Sequence, residues 1–220
     1  MVLMNKIRIF IIALPFLFIS CASGNIYSEL FNNLKTLISG PENISLDIIN
    51  SIPYASMQVR LGKGNNTLLV LEEDRYGILK WTSSNLVKIY TKNGYIVKAK
   101  GLENELDNIE LDKDHPFNNK NFDIRKIIFT SFYTFNNPKL FRLPVKTKIN
   151  LIKEEEILIF GNFYKVKLYE EIALENLINW KFRNLYWIDD NGNVLKSIQN
   201  FTPKNPEIQM TIAKKYKKPD

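Results

Sequence analysis

The sequence predicts a mostly β domain, an antiparallel curved sheet that closes into a barrel or half-barrel, with one N-terminal helix and a short additional helix. Three observations predict this class. Apolar and polar residues alternate with a period of two from residue 54 onwards. Turn residues separate short strands at intervals of about 8–12 residues, which is typical of a meander and not of βαβ units. About a dozen strands in one sheet must curl or close to protect their edges.

Residues 1–20 predict a secretory signal peptide. Lys6 and Arg8 form a short positive segment, and an apolar run of about 11 residues follows, roughly 16 Å long as a helix. That length falls short of the ~30 Å hydrocarbon core, so the run fits a signal peptide better than a transmembrane anchor. We find no second apolar run long enough to span a membrane as a helix in the mature sequence.

The segment that ends at Cys21 resembles a bacterial lipobox, with apolar Phe18 at position −3 and small Ser20 at −1. The cysteine thiol is the nucleophile that takes a diacylglyceryl group, and cleavage before it frees an amine for a further acyl chain such as palmitate. We therefore predict that Cys21 is lipidated and that its acyl chains anchor the protein stably. By resemblance to Gram-negative sorting, Ala22 in place of aspartate favours the outer membrane, with the protein facing the periplasm.

The chain is predicted to comprise four segments. These are a lipoprotein signal peptide at 1–20, a tether at 21–25, a single β-rich domain at 26–213 and a basic tail at 214–220, which we expect to be frayed. Within the domain, Ile26, Leu30 and Leu34 recur at helical spacing before Gly40-Pro41 ends the pattern. This spacing predicts an N-terminal helix over residues 26–38, which we expect to close one end of the barrel.

The strand pattern continues to the end of the domain. The predicted strands are 54–61, 67–71, 78–82, 87–91, 95–100, 126–135, 145–151, 157–160, 164–170, 181–188, 194–201 and 207–213. Asn93-Gly94 and Asn191-Gly192 predict hairpin turns with positive φ at glycine. Residues 102–124 are polar and predict a loop with a helical turn at 103–107. His115 lies in this loop and is expected to be exposed. Residues 172–179 predict the short additional helix.

The composition excludes several classes of function. His115 and Cys21 are the only histidine and cysteine, which removes histidine-rich metal sites, disulfides and CxxC redox chemistry. The sequence contains no GxSxG and no P-loop, so we predict a non-enzymatic protein with no cofactor and no metal site. Loss of the signal peptide removes two basic residues and lowers the formal charge from +7 to +5. Such a charge could attract acidic polysaccharide or anionic lipid, whereas nucleic acid is an improbable partner for an exported chain.

Aromatic residues crowd into the segment 180–187. Alternation places Trp180, Phe182 and Tyr186 on one strand face, which we assign to the interior, and Trp187 on the opposite face. Aromatic faces can stack on sugars, so Trp187, Trp180, Tyr186 and also Trp81 are candidate contacts for a glycan or a partner. Ordinary strand packing is the alternative interpretation of the same residues.

Several short motifs, in this order and spacing, resemble the YjbF-type lipoproteins, a family associated with group 4 capsule and exopolysaccharide gene clusters. The motifs are Tyr54-Ala55-Ser56 to Leu61-Gly62, Leu69-Val70-Leu71, Trp81-Thr82-Ser83, Asn93 to Lys98 with Gly101-Leu102, Asn184 to Asp189, Gly192, and Ser197-Ile198-Gln199 with Pro203. The resemblance implies a barrel-like fold and a periplasm-facing outer-membrane lipoprotein that serves polysaccharide production or export. It implies no catalytic residues.

The leading hypothesis is therefore a non-enzymatic accessory lipoprotein of polysaccharide secretion. Its expected partners are outer-membrane lipid, through the acylated cysteine, and polysaccharide or polysaccharide-export proteins. The alternative is a module that handles lipids or lipoproteins by holding acyl chains in a concave sheet, and an apolar cavity would favour it. A glycan-modifying enzyme would instead require an aromatic groove with two carboxylates about 5–9 Å apart.

Overall fold

The computed structural model describes residues 44–119, 122–124 and 127–217, and these contain twelve antiparallel strands that form a closed barrel. The strands are β1 (Ser56–Leu61), β2 (Thr67–Arg75), β3 (Ile78–Thr82), β4 (Lys88–Lys92), β5 (Tyr95–Lys100), β6 (Leu106–Glu110), β7 (Phe129–Phe135), β8 (Leu140–Ile159), β9 (Asn162–Glu175), β10 (Trp180–Ile188), β11 (Val194–Gln199) and β12 (Ile208–Lys214). Each strand pairs with its sequence neighbours. The predicted fold class is confirmed, and the sheet forms a complete barrel.

Pairing between β1 and β12 closes the barrel. In this pair Met57 lies opposite Ile212, and Val59 lies opposite Met210. Met57, Val59 and Met210 are buried, so the closing strands contribute apolar side chains to the interior. Closure leaves neither strand with an unpaired edge, which is the reason a sheet of this size curls on itself.

The barrel interior is a packed core supplied by alternate residues. In β7, Phe129, Ser131, Tyr133 and Phe135 are buried, and the residues between them are only half-buried. The same alternation holds along β10, where Trp180, Phe182, Asn184 and Tyr186 are buried. The inward assignment of the 180–186 face is therefore confirmed.

The longest hairpin is formed by β8 and β9, and it corrects two predictions. The segments predicted as separate strands at 145–151 and 157–160 form the single strand β8. The helix predicted at 172–179 is wrong, because β9 continues to Glu175 and a turn at 176–179 follows. Glu171 and Glu175 occupy buried positions of β9 on either side of Ala173. Charged residues are rarely buried, so their presence at inward positions breaks the apolar–polar alternation from which a strand is predicted.

A strand was also missed in the polar segment 102–124. Leu106 and Ile109 are buried in β6, although three positions separate them. A register shift between Leu106 and Asn108 brings both side chains inward, so the segment does not show a period of two. The helical turn predicted at 103–107 is therefore wrong.

Residues 115–118, between β6 and β7, fill the barrel at one end. A 3-10 helix at Pro116–Asn118 inserts Phe117 beside His115, and both side chains are completely buried. The prediction that His115 is exposed is wrong. The prediction rested on the polar sequence around His115, and burial of this residue depends on long-range contacts with Tyr95 and Phe129.

The ends of the described region carry two further features. A short helix, α1 (Leu46–Ser51), begins at Ser45, whose hydroxyl accepts a hydrogen bond from the Ile48 backbone N–H. The helix predicted at 26–38 and Cys21 lie outside the described residues. The prediction of a frayed tail is wrong for its first residues. Lys214 ends β12, and the Tyr216 hydroxyl forms a hydrogen bond with the Asp74 carboxylate of β2.

The turns of the barrel lie at two opposite ends, which we call the mouth end and the far end. The mouth end carries the β2–β3, β4–β5 and β10–β11 turns, at residues 76–77, 93–94 and 189–193. The far end carries the β9–β10 turn at 176–179 and the segment between β11 and β12. Alternating hairpins in an up-and-down barrel place these two sets of turns at opposite ends.

Candidate functional site

A cavity of about 330 Å³ opens at the mouth end of the barrel, and we call it the mouth cavity. Its lining is mainly apolar and includes Met57, Leu79, Trp81, Met210 and Ile212. Trp81 is only 2% exposed, and its indole N–H donates to the Thr91 hydroxyl at 2.9 Å. Trp81, which the sequence predicted as a contact residue, therefore lies in the wall of an apolar cavity. Its indole N–H is already hydrogen-bonded within the barrel.

The C-terminal residues form a polar rim over the mouth cavity. The Tyr216 hydroxyl donates to the Asp74 carboxylate at 3.1 Å, and the Lys215 ammonium donates to the Asp189 carboxylate at the same distance. Partial burial acts to raise the pKa of Asp189, but hydrogen bonds from Asn193 and Lys215 outweigh it and lower the pKa. The rim therefore holds Asp189 as a charged group beside an apolar interior.

A second cavity, of about 410 Å³, lies beside β10 towards the far end, and we call it the side cavity. Pairing between β10 and β11 begins at Leu185, which lies opposite Ile198. The first half of β10 is therefore not paired with β11 and faces the segment that joins β11 to β12. The cavity lies in this gap. Its lining includes Trp180, Lys181, Phe182, Arg183, Asn200 and Asn205.

Aromatic rings and polar groups meet in the side cavity. The Trp180 and Phe182 ring centroids lie 4.2 Å apart, and each side chain is 8% exposed. The Asn200 side-chain amide donates to the Arg183 carbonyl at 2.8 Å, which ties the segment after β11 to β10. The side cavity thus combines aromatic surface, amides and cations, the groups that recognise an acidic sugar chain.

Deeper in the barrel, the buried carboxylate of Glu171 is surrounded by hydroxyl and amide donors. Tyr186 donates to it at 2.8 Å, Asn184 at 2.9 Å and Tyr95 at 3.3 Å. The hydroxyls of Tyr95 and Tyr133 lie 2.7 Å apart, so Tyr133 donates to Tyr95 when Tyr95 donates to Glu171. A buried carboxylate needs such donors because it has lost its water.

The same tyrosines have raised pKa values. Burial is the largest cause and the negative charge of Glu171 is the second for Tyr95, Tyr133 and Tyr186. Both causes oppose the formation of a phenolate. The three hydroxyls therefore stay protonated at neutral pH and continue to donate within the core.

His115 lies against this network without completing it. Its Nε2 is 3.6 Å from a Glu171 carboxylate oxygen, and neither ring nitrogen has a hydrogen-bond partner among the described residues. Its ring packs edge-on to Tyr95, at a centroid distance of 5.2 Å. The imidazole therefore helps to hold the segment between β6 and β7 in the barrel through ring contacts.

Trp187 lies in a second, smaller apolar cluster. It packs with Leu168 and Leu195, is 9% exposed and donates from its indole N–H to Glu155 at 2.8 Å. The Lys196 ammonium lies 4.8 Å from the ring centroid. The extended part of the β8–β9 hairpin thus packs around Trp187, which is not displayed to solvent.

The structure separates the four predicted aromatic contacts. Trp81 lies at the mouth cavity, Trp180 at the side cavity, Tyr186 in the Glu171 network and Trp187 in the second cluster. Their role as glycan contacts stays a prediction. Sequence reasoning missed Glu171, and the signal for it was its position on the inward face of a strand.

Two features are absent from the described residues. Among residues 44–119, 122–124 and 127–217, we find no group of three or more histidine, cysteine or acidic residues that could hold a metal ion. Within the same residues, none of the helices is long and apolar enough to cross a membrane.

The fold and its cavities define a closed antiparallel barrel with a side-chain-filled interior and two openings. The chain belongs to the YjbF family, described as "Group 4 capsule polysaccharide lipoprotein gfcB, YjbF", whose match covers residues 31–212. It is thus a member of a family of capsule-related lipoproteins.

The chain is also similar to an Escherichia coli K12 sequence and to an Escherichia coli K12 crystal structure. The chain is 23% identical over 189 residues to "Uncharacterized lipoprotein GfcB". The aligned region covers 85% of this chain and 86% of that protein. The chain also resembles the crystal structure of the hypothetical lipoprotein YmcC. That similarity has a TM-score of 0.71 at 21% identity and covers 90% of this chain and 99% of the other. The structural similarity supports the barrel fold.

Proposed function

We propose that this protein is a non-enzymatic accessory factor in the production or export of capsule or exopolysaccharide, anchored in the outer membrane through acylated Cys21 and facing the periplasm. The family match over residues 31–212 carries the proposal. The lipobox at residues 18–21 supports the anchor, because it supplies the only cysteine of the sequence.

The side cavity offers a surface for the polysaccharide. Trp180 and Phe182 line this opening with aromatic rings, while Lys181 supplies positive charge beside them. Lys181 is exposed and forms no ion pair with the described residues, so its charge is available to an acidic sugar chain. The proposed role is therefore to hold a growing or departing polymer, without chemistry on it.

The test is complementation of a strain of the native host that lacks the gene. We expect the Cys21→Ser protein to remain an uncleaved precursor that carries no labelled palmitate and does not appear in the outer-membrane fraction. Surface polysaccharide should fall to the level of the deletion strain. Lys181→Glu should lower polysaccharide several-fold, because it reverses the charge at the side cavity without touching the core.

Lys63→Glu serves as the matched control, since Lys63 is an exposed lysine in the β1–β2 turn outside the side cavity. It should retain wild-type output. A deletion strain with unchanged surface and secreted polysaccharide would contradict the proposed function. Processing at residue 21 in the Cys21→Ser variant would contradict the anchor alone.

The mouth cavity favours a second candidate function, the binding of an acyl chain. Its apolar lining of Leu79, Trp81 and Met210 beneath a polar rim suits an amphiphile with its head at the opening. We expect purified protein to bind a fluorescent fatty acid such as cis-parinaric acid.

Leu79→Asp should weaken this binding at least about tenfold, because a carboxylate in the cavity wall must be desolvated by the chain. Ile78→Asp is the matched control, since Ile78 is the preceding residue of β3, is 37% exposed and does not line the cavity. Equal binding by the wild type and both variants would remove this candidate.

A further inference from the structure

Three neighbouring strands present aliphatic side chains between basic ones on the outside of the barrel. Opposing residues across β8, β9 and β10 lie on the same face of the sheet, with Cβ atoms about 5 Å apart. The opposing residues are Lys146, Leu174 and Lys181 in one row, and Lys148, Ile172 and Arg183 in the next. All six side chains are exposed.

The β9–β10 turn extends the aliphatic row towards the far end. Leu177 is 78% exposed and Ile178 is 39% exposed. These two residues follow Ile172 and Leu174 along the chain, and the four exposed aliphatic side chains with the flanking basic residues make up what we call the basic–aliphatic ridge. Contiguous exposed apolar surface rimmed by polar residues is a mark of an interaction site.

The turn that displays these side chains is hydrogen-bonded to a buried carboxylate. The Glu175 carboxylate, itself 2% exposed, accepts hydrogen bonds from the backbone N–H groups of Leu177 at 2.9 Å and Ile178 at 2.8 Å. These bonds hold the turn backbone in place while both aliphatic side chains remain exposed. Exposure of the strip is thus part of the ordered structure.

The flanking positive charges are largely uncompensated. Arg183 pairs with Glu170, but Lys146, Lys148 and Lys181 form no ion pair within the part of the chain that the structure describes. Three lysines therefore border the strip with their ammonium groups free to meet anions.

We propose that the basic–aliphatic ridge docks on the surface of an anionic phospholipid bilayer. The aliphatic side chains enter the boundary between headgroups and acyl chains, and the lysines meet lipid phosphates. Aliphatic residues on one side with lysines along the border are the pattern of interfacial binding, and each basic residue near such a surface is worth about 1 kcal/mol.

The chemistry of the ridge favours a bilayer over a sugar polymer. Isoleucine and leucine have no flat face on which a sugar ring can stack, and their burial is favourable in an apolar medium. Free lysines suit a dense layer of phosphates.

Docking would also orient the barrel. The β9–β10 turn is at the far end, and the mouth cavity lies between turns of the opposite end. A barrel that rests on the bilayer with residues 177–178 therefore turns its mouth cavity away from that bilayer.

The experiment uses the lipidated full-length mature protein with a fluorescent probe on Leu177→Cys, which is the only free thiol when Cys21 is acylated. The mass of the protein before labelling confirms acylation, so failure of the anchor is seen separately. On phosphatidylcholine vesicles that contain phosphatidylglycerol, we expect probe emission to shift to shorter wavelength and to intensify several-fold. Pure phosphatidylcholine should give a much smaller change.

Lys146→Gln combined with Lys148→Gln should weaken docking about 30-fold, the equivalent of about 1 kcal/mol per lysine. Lys113→Gln with Lys165→Gln is the matched control, because both lysines are exposed residues near the mouth end. A second control probe on Tyr76→Cys occupies a 92% exposed position in a mouth-end turn and should not respond.

Four outcomes would overturn the proposal. They are an unchanged Leu177→Cys probe on anionic vesicles, an equal response at Tyr76→Cys, an equal response to polygalacturonate without vesicles, and a response to protein concentration alone. The third would identify an acidic polymer as the partner, and the fourth would identify a second copy of this chain.

Discussion

At the residue scale, Glu171 organises the barrel interior. Its carboxylate accepts hydrogen bonds from Tyr186, Asn184 and Tyr95, which come from two other regions of the sheet. A buried charge without donors would destabilise the fold by several kcal/mol, so these donors are needed for β9 to place a glutamate inward. The network therefore ties β5, β7, β9 and β10 together through polar contacts as well as apolar packing.

The raised pKa values of the core tyrosines predict a loss of stability at alkaline pH. The pKa of Tyr133 is above its ordinary value near 10 because of burial and the charge of Glu171. Its folded state therefore holds the proton more tightly than the unfolded state. The stabilisation is fully present below about pH 10 and is lost as pH rises further, at about 1.4 kcal/mol per pH unit for one tyrosine.

Tyr133→Phe should accordingly flatten the decline of unfolding free energy above pH 10 by about that slope. Denaturant titrations from pH 9 to about pH 12 measure it. Tyr76→Phe is the control, since its side chain is 92% exposed and meets water in both states. Identical slopes for wild type and Tyr133→Phe would show that the buried hydroxyl does not govern the alkaline transition.

At the element scale, the Asn93-Gly94 turn shows how local sequence and tertiary contact combine. Positive φ at Gly94 confirms the predicted hairpin turn, and positive φ at Asn93 as well is what a type I′ turn requires. At the second predicted turn, φ is positive at Gly192 but not at Asn191, so that turn is of a related type. The Gly94 turn has an additional constraint, because a Cβ there would lie 2.5 Å from the Cβ of Val194.

Gly94→Val should therefore destabilise the protein more than its backbone conformation alone requires. The positive φ contributes about 1–3 kcal/mol, and the clash with Val194 adds an overpacking cost of about 1–3 kcal/mol. Gly77→Val isolates the first contribution, because Gly77 has φ +77° and no atom within 4 Å of an added Cβ. Equal melting temperatures for the two variants would contradict the contact between the mouth-end turns.

At the scale of the whole molecule, the closed barrel separates the two proposed binding surfaces, the mouth cavity and the basic–aliphatic ridge. The mouth cavity lies between turns of one end, and the basic–aliphatic ridge extends to a turn of the other. A lipid-anchored protein of this family would in that arrangement have one surface suited to a bilayer and one opening directed elsewhere. Residues of β1 and β12 line the mouth cavity, so it is complete only when these two strands have paired. The ridge depends on the pairing of β8, β9 and β10.

The sequence by itself determined the class of fold and most of the strands. β3 and β5 match their predicted bounds, because local alternation and turn residues such as Asn93-Gly94 depend only on nearby positions. The inward face of β10 was predictable for the same reason. The predictions were wrong where polar residues occupy inward positions, as at Glu171 and Glu175, or where a register shift breaks the period, as in β6.

Only the tertiary structure decided which residues meet. Burial of His115 requires rings from distant strands, and the ridge requires Lys146, Leu174 and Lys181 to lie opposite one another across three strands. The register of adjacent strands sets the neighbours on the ridge, and the curvature of the closed barrel brings side chains of distant strands together in the interior. The physical reason is that periodicity reports which face a residue occupies, whereas register and closure decide what it contacts on that face.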